Sequence, residues 1–336
     1  MGKSRLILLI SAALALPVFA HAETYRVIDR IKVPDGGFDY STYDPATARV
    51  YMPRGDYTTV IDTKTGNVSQ LQSAVGNHIA LPIPQTPLLV VTQSAGTILL
   101  VDKDMDKVVA SFMGEKNPNS AAYDPATKVA VVLNKDSGTA TLIDPFARQS
   151  LGTIPISANT LEFPAADGTG RVFINIETSA EIAVLDVHAR KIAKLYKLNG
   201  CVGPTGLAFD VKARLLISAC ANGVAKVVRA DDGTEVASLP IGRGPDAVIF
   251  DPVRQVAFVP CGKDGVLDVI SLADPRAIKV VQQVQTEPGS RTGAVDPSTG
   301  KVYLMSSKPD LAAPIPPNGR QPRLAGSWAV LVVAPS

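Results

Sequence analysis

The stretch Asn119–Ile154, NSAAYDPATKVAVVLNKDSGTATLIDPFARQSLGTI, contains four short runs rich in Val, Ile, Leu, Thr and Ala. Asp124-Pro125 and Asp144-Pro145 each open a turn between two runs, and Gly138 lies in the loop between the middle runs. Short apolar runs bounded by such residues indicate antiparallel strands, because proline fixes the backbone φ that a turn requires. The stretch therefore predicts a four-stranded unit with strands at Asn119–Tyr123, Val129–Leu133, Thr139–Ile143 and Gln149–Ile154.

The same pattern recurs along the chain about every 42 residues. Asp-Pro pairs stand just before the second strand of a unit at Asp44, Asp124, Asp251 and Asp296, and the last three are 127 and 45 residues apart, which is three units and one unit. In the three units that lack an Asp-Pro pair at this position, the equivalent residues are Ile83-Pro84, Asp167 and Asp210. A second marker, an apolar residue followed by an acid, runs in phase at Asp62, Asp102, Asp144 and Asp186. A period of this length with four strands per unit predicts an all-β, seven-bladed β-propeller.

The two ends of the chain predict how the ring closes. The seventh unit has strands at Lys301–Met305 and Trp328–Ala334, and no residues are left for its fourth strand. The segment Tyr25–Val33 belongs to no unit, and its residues alternate as in a strand with one covered face. We expect this N-terminal strand to pair in the last blade and close the ring.

Three segments define the expected domain organisation. Residues 1–22 carry Lys3 and Arg5, an apolar run too short to span a bilayer, and Ala20-His21-Ala22, which predicts a cleaved signal peptide. An uncleaved membrane anchor is the alternative. Residues 23–336 are expected to form a single propeller domain, with a proline-rich insertion at 307–327 that is either a flap over the channel mouth or an irregular loop. The protein is thus expected to be periplasmic or secreted, with no membrane span in the mature chain.

Charge argues against nucleic acid as the main partner. Removing 22 residues from 336 leaves 314 residues with 31 basic and 31 acidic side chains. Proteins that bind nucleic acid usually carry a basic excess, since phosphate contacts dominate their affinity. Single-stranded nucleic acid remains an alternative, with Phe38 and Tyr57 as stacking candidates.

The three cysteines leave the disulfide pairing open. Cys201 precedes the first strand of the fifth unit and Cys220 ends its second strand, so the two are neighbours in the expected antiparallel pair. Cys261 ends the second strand of the next unit and is a competing partner for Cys220. We expect a Cys201–Cys220 disulfide and a third cysteine left over.

Two phrases carry a family resemblance. Val60–Val68 (VIDTKTGNV) and Val295–Tyr303 (VDPSTGKVY) resemble the strand signatures of YVTN-repeat propellers, the YncE-like periplasmic proteins. The Tyr-Val-Thr-Asn tetrapeptide itself is degenerate, reading Tyr51–Arg54 in the first unit and Tyr303–Ser306 in the last. The resemblance covers the mature chain and implies a seven-bladed propeller that binds or interacts in the cell envelope. It implies no shared catalytic residues.

The repeat register singles out one ring of candidate ligand-binding residues. Five residues before each Asp of the Asp-Pro marker, or its equivalent, stand Asp39, His78, Asn119, Glu162, Thr205, Asp246 and Arg291. All are polar, and each begins an inner strand, so we expect them at one end of the central channel. Five basic residues fall in loops on the same face, and we expect them to form a mixed, solvated surface: Arg54, Lys135, Arg243, Lys263 and Lys308.

The composition of this ring allows three interpretations. Asp39, His78, Glu162 and Asp246 are candidate ligands for a divalent metal in the channel. Arg291, Asn119 and Thr205 could instead bind a small anion, or the ring could line a water-filled channel. The sequence favours a non-enzymatic binding or scaffold propeller that holds a small-molecule ligand or an envelope protein at the channel mouth. The alternative is a metal-assisted, lactonase-like hydrolase with His78 or Glu162 as the proton-transfer group.

Overall fold

A computed structural model describes residues 23–76, 78–157, 160–316 and 321–336. These residues form 28 strands in seven four-stranded antiparallel sheets, so the expected seven-bladed propeller is confirmed. The expected signal peptide at 1–22, Asn77, and residues 317–320 of the insertion lie outside the described residues. No helix in the described part of the chain is long and apolar enough to cross a membrane.

The strands follow chain order from the channel outward in blades 1 to 6. Blade 1 contains β2 (Thr42–Asp44), β3 (Arg49–Pro53), β4 (Thr58–Asp62) and β5 (Val68–Leu71). Blade 2 contains β6 (Ala80–Pro82), β7 (Leu88–Gln93), β8 (Thr97–Asp102) and β9 (Lys107–Met113). Blade 3 contains β10 (Pro118–Asp124), β11 (Val129–Asn134), β12 (Thr139–Asp144) and β13 (Gln149–Pro155). These last four strands match the expected positions to within one residue at each end.

The remaining blades repeat this arrangement. Blade 4 contains β14 (Leu161–Ala166), β15 (Arg171–Ile176), β16 (Glu181–Asp186) and β17 (Lys191–Lys197). Blade 5 contains β18 (Pro204–Asp210), β19 (Leu215–Cys220), β20 (Val224–Arg229) and β21 (Glu235–Pro240). Blade 6 contains β22 (Ile249–Asp251), β23 (Val256–Cys261), β24 (Val266–Ser271) and β25 (Lys279–Gln285). Blade 7 contains β26 (Gly293–Asp296), β27 (Lys301–Ser306), β28 (Ala329–Pro335) and the N-terminal strand β1 (Tyr25–Lys32).

The recurring aspartates shape the turns that define each blade. The carboxylate of Asp44 accepts hydrogen bonds from the backbone N–H of Ala46 at 3.0 Å and from the hydroxyl of Thr47 at 2.8 Å. The turn then ends at Ala48, whose φ of 52° lies in the left-handed region. Aspartate favours such turns because its short side chain bonds the backbone two residues ahead. The equivalent carboxylate in blade 3, that of Asp124, also accepts a hydrogen bond from the N–H of Gly170 in the next blade at 3.2 Å.

Ring closure follows from the pairing of the two chain ends. Strand β1 is antiparallel to β28, with Val27 opposite Val333 and Lys32 opposite Ala329. The inner strand of blade 7, β26, contacts β22 on one side and β2 on the other, so the seven inner strands form a closed circle. The strict alternation expected for Tyr25–Val33 is wrong at one point. A β-bulge lies between Val27 and Asp29, and it leaves Ile28 outside the ladder.

That bulge is a general feature of the outer strands. The register of the outer strand shifts at the equivalent position in blades 2 to 6 as well. Strand β1 thus reproduces the outer-strand geometry of the other blades, although it comes from the opposite end of the chain. Apolar side chains from facing blades fill the space between the sheets, and the largest that are fully buried include Tyr51, Phe173 and Phe258.

The insertion at 307–327 begins and ends as a narrow ribbon. Pro309 pairs with Arg323, and the N–H of Asp310 donates to the carbonyl of Pro322 at 2.8 Å. Arg323 donates to the carbonyl of Pro288 at 3.0 Å, which fixes the base of the ribbon to the loop after blade 6. The described part of this segment is therefore attached to the body of the propeller at its base.

The structure joins Cys201 and Cys220 in a disulfide with a Cα–Cα distance of 5.5 Å. The bond links the start of blade 5 to the end of its second strand. Cys261 is the buried free cysteine, and its thiol contacts the carboxylate of Asp268 at 3.3 Å. Burial and this carboxylate raise the pKa of the Cys261 thiol, so the thiol remains neutral at physiological pH.

Candidate functional site

The starts of the inner strands surround a polar cavity of about 390 Å³ at one mouth of the channel. Six of the seven residues of the predicted ring line it: Asp39, His78, Asn119, Glu162, Asp246 and Arg291. The loops before and between the strands add Phe38, Tyr40, Arg54, Asn117 and Lys135. Side chains from six blades thus converge on one small volume, which no single segment of the sequence could form.

Charged pairs across neighbouring blades organise the cavity wall. The Nδ1 atom of His78 lies 2.6 Å from Asp39 Oδ2, which joins blades 1 and 2. Arg291 Nε donates to Asp246 Oδ2 at 2.7 Å, which joins blades 7 and 6. Lys135 donates to Glu162 and joins blades 3 and 4. Each acid of the cavity therefore has a basic partner from the adjacent blade.

Glu162 is the most deeply buried of these acids. Its side chain is 4% exposed, its Oε2 accepts a hydrogen bond from the buried hydroxyl of Tyr40 at 3.0 Å, and Lys135 binds its Oε1. Burial raises the pKa of Glu162 to about 8, with the charge of Asp246 adding to the effect and Lys135 opposing it. Burial and the nearby Asp39 likewise raise the pKa of Asp246. Acids with raised pKa values in a cleft are typical of binding and catalytic sites.

Both ring nitrogens of His78 have polar partners. The amide nitrogen of Asn117 donates to Asp136 at 3.1 Å, so the Oδ1 atom of Asn117 faces His78 Nε2 at 3.0 Å as an acceptor. The other ring nitrogen faces the carboxylate of Asp39. The ring is thus held at both nitrogens, by Asp39 from blade 1 and by Asn117 from the loop before blade 3.

Asn119 contributes an unsatisfied polar group. Its Nδ2 atom lies 3.2 Å from His78 Nδ1, and its buried Oδ1 atom has no hydrogen-bond partner among the described residues. A protonated His78 Nδ1 cannot accept from Asn119, so reversing the amide places its oxygen on that proton. In either orientation one end of the Asn119 amide is left without a partner in the wall of the cavity.

Two arginines flank the cavity at the ends of an aromatic stack. The Cζ atom of Arg291 lies 4.5 Å from the ring centroid of Phe38, and that of Arg54 lies 5.0 Å from the ring of Trp328. The two rings contact each other edge to face at 5.8 Å. Such contacts hold a guanidinium in place without neutralising it.

Tyr40 forms the floor of the cavity. It packs against Phe163 at 4.7 Å between ring centroids and also lines a second cavity of about 240 Å³ farther along the channel. That second cavity is bounded largely by apolar side chains, including Ile249, Phe250 and Val295. The channel is therefore divided by Tyr40 into a polar mouth and an apolar inner part.

One residue of the predicted ring has a different role. Thr205 is buried, and its hydroxyl donates to the backbone carbonyl of Pro245 at 3.1 Å or of Ala219 at 3.3 Å. It does not line the cavity, because these backbone acceptors hold it between blades 5 and 6. The repeat register gives the position of a residue along a strand, and local hydrogen bonds decide where its polar atom points.

The expected metal ligands are not arranged as a metal site. Among residues 23–76, 78–157, 160–316 and 321–336, no group of three or more His, Cys, Asp and Glu side chains could hold a metal ion. The interpretation of Asp39, His78, Glu162 and Asp246 as one ligand set stays a prediction. Their oxygens and nitrogens instead engage partners in the pairs described above.

Sequence reasoning missed two contributors and misplaced two others. Tyr40 and Asn117 carry no repeat signal, because both lie in loops that precede inner strands, β2 and β10. Arg54 and Lys135 were expected on a solvated surface, yet both line the cavity, and Arg54 is only 4% exposed. Arg243 fits the surface expectation, since it is exposed and pairs with Asp264 at 2.7 Å.

Comparison with known proteins places the chain by its fold alone. No protein-family model and no curated protein matches the sequence. A solved structure described as RRP9 WD40 repeats superposes with a TM-score of 0.77 at 8% identity, covering 92% of this chain and 98% of that one. A chain from the crystal structure of a mitotic checkpoint complex superposes with a TM-score of 0.72 at 12% identity, covering 99% of both. At these identities the likeness shows the seven-bladed β-propeller fold and nothing finer.

Proposed function

We propose that this chain is a non-enzymatic binding propeller of the YVTN-repeat, YncE-like kind that holds a small molecule at the polar mouth of its channel. The single observation that carries the proposal is the convergence of Asp39, His78, Asn119, Glu162, Asp246 and Arg291 on one cavity. Small-ligand sites are concave, largely preformed, and contain a few convergent polar groups.

The internal pairing of the charges supports a preorganised site. Cross-blade pairs such as His78–Asp39 hold the side chains in position before any ligand arrives. The unsatisfied amide of Asn119 supplies a polar group that gains a partner on binding. An envelope protein whose side chain enters the mouth would use the same contacts, so it is the alternative partner for this site.

Location is part of the proposal and rests on the sequence. Residues 1–22 are proposed to be a signal peptide that is removed on export, which leaves residues 23–336 as one domain in the periplasm or outside the cell. Fractionation of cells that express the full chain, with N-terminal sequencing of the product, tests this. A protein that begins at Glu23 in the periplasmic fraction supports it, and retention of Met1 in the membrane fraction contradicts it.

Binding is tested by a thermal-shift screen of small polar metabolites followed by calorimetry of the hits. His78→Ala is expected to abolish the binding of a hit, because it removes the partner of Asp39 and Asn119. His188→Ala is the matched control, since His188 is exposed in the outer turn of blade 4. A hit that binds both variants equally binds elsewhere, and it would contradict the proposed site.

The second candidate, a metal-assisted lactonase-like hydrolase, is favoured by one observation. Glu162 has a pKa near the operating pH of a general acid or base. The described donor groups do not fit a metal, however, so the hydrolase is the weaker proposal. Lactone hydrolysis that persists after purification without chelator and is lost in Glu162→Gln would support it.

Single-stranded nucleic acid fits the mouth poorly. Phe38, one of the two stacking candidates, has its ring occupied by Arg291 and Trp328. Tyr57, the other candidate, carries a buried hydroxyl that has no hydrogen-bond partner within the described chain. Salt-dependent binding of oligonucleotides that Tyr57→Ala abolishes would revive this function.

A further inference from the structure

One cation of the polar mouth has no acidic partner. Asp39, Glu162 and Asp246 are matched by His78, Lys135 and Arg291, respectively. Arg54 lines the same cavity, and no acid lies within ion-pair distance of it among the described residues. Arg54 is therefore the one basic side chain of this wall that forms no ion pair among the described residues.

Arg54 is held in place by neutral groups only. Its Nε donates to the carbonyl of Gly37 at 2.6 Å, and one Nη donates to the carbonyl of Pro34 at 2.8 Å. The other Nη lies 3.4 Å from the hydroxyl of Thr59. A guanidinium has five N–H donors, so these contacts orient Arg54 without using all of its donors.

Burial makes this unpaired charge costly. Burial lowers the pKa of Arg54 because it disfavours the charged form, and the weaker opposing influence of Tyr57 and Asp35 does not cancel this shift. An anion that enters the cavity would supply the missing counter-charge. The charged form of Arg54 is disfavoured by burial in the empty protein, and an anionic ligand would stabilise this charged form.

A third arginine extends the positive region toward the insertion. Arg323 donates to the carbonyls of Pro288 and Ser307, both neutral groups. Burial lowers its pKa, and the charge of Arg291 lowers it further, which indicates that the two guanidinium groups are close enough to repel each other. An anion at Arg291 would reduce this repulsion as well.

We propose that the ligand of the polar mouth is a small organic anion whose carboxylate or phosphate group is bound by Arg54 and Arg291. The proposal rests on the proposed function, because it names the chemical class that the same cavity takes. Arg54 supplies a fixed buried charge. Arg291, whose side chain is 31% exposed, supplies the donor that an entering ligand meets first.

The stack of Arg291, Phe38, Trp328 and Arg54 holds both guanidinium groups in position, while Arg291 also pairs with Asp246. Each guanidinium lies over an aromatic ring, which fixes its plane and leaves its edge for hydrogen bonds. Planar carboxylate and phosphate groups accept from such an edge through two parallel bonds. A neutral ligand would gain none of the charge compensation.

The stack also provides the reporter for the test. Trp328 is the only tryptophan of the chain, and the guanidinium of Arg54 lies 5.0 Å from its ring. The experiment titrates the mature protein at constant ionic strength with succinate and with inorganic phosphate, and it follows the intrinsic fluorescence. Glucose is the neutral control and putrescine is the cationic control. We expect a saturable change with succinate or phosphate only, and the stronger of the two identifies which anionic group the site prefers.

Variants assign the change to the proposed residues. Arg291→Gln is expected to weaken anion binding by about 10- to 100-fold, since one charge-assisted hydrogen bond is removed. Arg291→Lys keeps the positive charge, and its anion affinity is expected to lie between those of the wild type and Arg291→Gln. Arg243→Gln is the matched control, because Arg243 is an exposed arginine that pairs with Asp264. Thermal unfolding checks that each variant is folded. If one variant does not fold, the proposal is still tested by whether the wild-type protein binds succinate or phosphate and not glucose or putrescine.

Three outcomes would overturn the proposal. Saturable binding of glucose or putrescine that His78→Ala removes would refute the anion and leave the proposed binding function standing. Equal anion affinity in Arg291→Gln and the wild type would refute the assigned residues. No saturable binding by any of the four compounds, nor by any compound of the wider screen, would refute both the anion and the binding function.

Discussion

The buried carboxyl of Glu162 makes a sharp prediction about pH and stability. Its pKa is raised from the ordinary 4.5 to about 8 in the folded protein, chiefly by burial. Between these two values the folded state holds a proton that the unfolded state has released. The free energy of unfolding therefore falls as the pH rises through this range. The stability that comes from this proton is complete below the pKa of the unfolded state, and it is lost as the pH rises through the pKa of the folded state.

The size of the effect follows from one proton. A difference of one bound proton changes the free energy of unfolding by about 1.4 kcal/mol per pH unit, so this residue alone removes about 3 kcal/mol between about pH 5.5 and 7.5. Glu162→Gln keeps the shape of the protonated side chain and cannot titrate. The variant is expected to lose this part of the pH dependence and to become the more stable protein as the pH rises above 7.

Denaturant unfolding of both proteins across this pH range measures the difference. All other titrating groups contribute similarly to both proteins and largely cancel in the comparison. Asp246 is the exception, because Glu162 is one of its close neighbours in the cavity. The same measurement on Asp246→Asn, alone and combined with Glu162→Gln, therefore separates the contribution of Asp246 from that of Glu162. If the wild type and Glu162→Gln have the same dependence on pH, then Glu162 is ionised in the folded protein and the reasoning is wrong.

Two further predictions concern the fold. Asp124 is fully buried and accepts from Thr127 and from Gly170 of the next blade, so Asp124→Ala should cost about 3 kcal/mol or more of unfolding free energy. Asp144→Ala, in a more exposed turn within one blade, should cost about 1 kcal/mol, and equal losses in denaturant unfolding would contradict the cross-blade role. Reduction of the disulfide, which closes a loop of 19 residues, should lower the unfolding free energy by about 3 kcal/mol. A double alanine variant of the two cysteines should not respond to reductant, and a response there would contradict this assignment.

The sequence predicts the blades well because one residue type determines their turns. Each aspartate at a strand end bonds the backbone of its own turn, so the strand boundaries of blade 3 could be placed to within one residue. The bulge at Ile28 could not be predicted in this way. It arises from how an outer strand pairs with its neighbour, and β1 and β28 lie at opposite ends of the sequence.

The candidate site was only partly predictable for a related reason. The repeat register places a polar residue at the start of each inner strand, and six of the seven line the cavity. The register does not encode which partner captures each side chain. Thr205 is held by backbone carbonyls, and Arg54 is drawn into the wall by the carbonyls of Pro34 and Gly37 together with the ring of Trp328.

The displaced register of the outer strands has a consequence for how whole molecules meet. Every blade ends at its perimeter in a strand with one unpaired side, which is a template for adding a foreign strand. Six of these seven strands are kinked by a bulge, and β5, which has none, is only four residues long. The outer strands are therefore poorly suited to pair with an outer strand of a second molecule. At high concentration, copies of this protein should contact one another through side chains and dissociate on dilution.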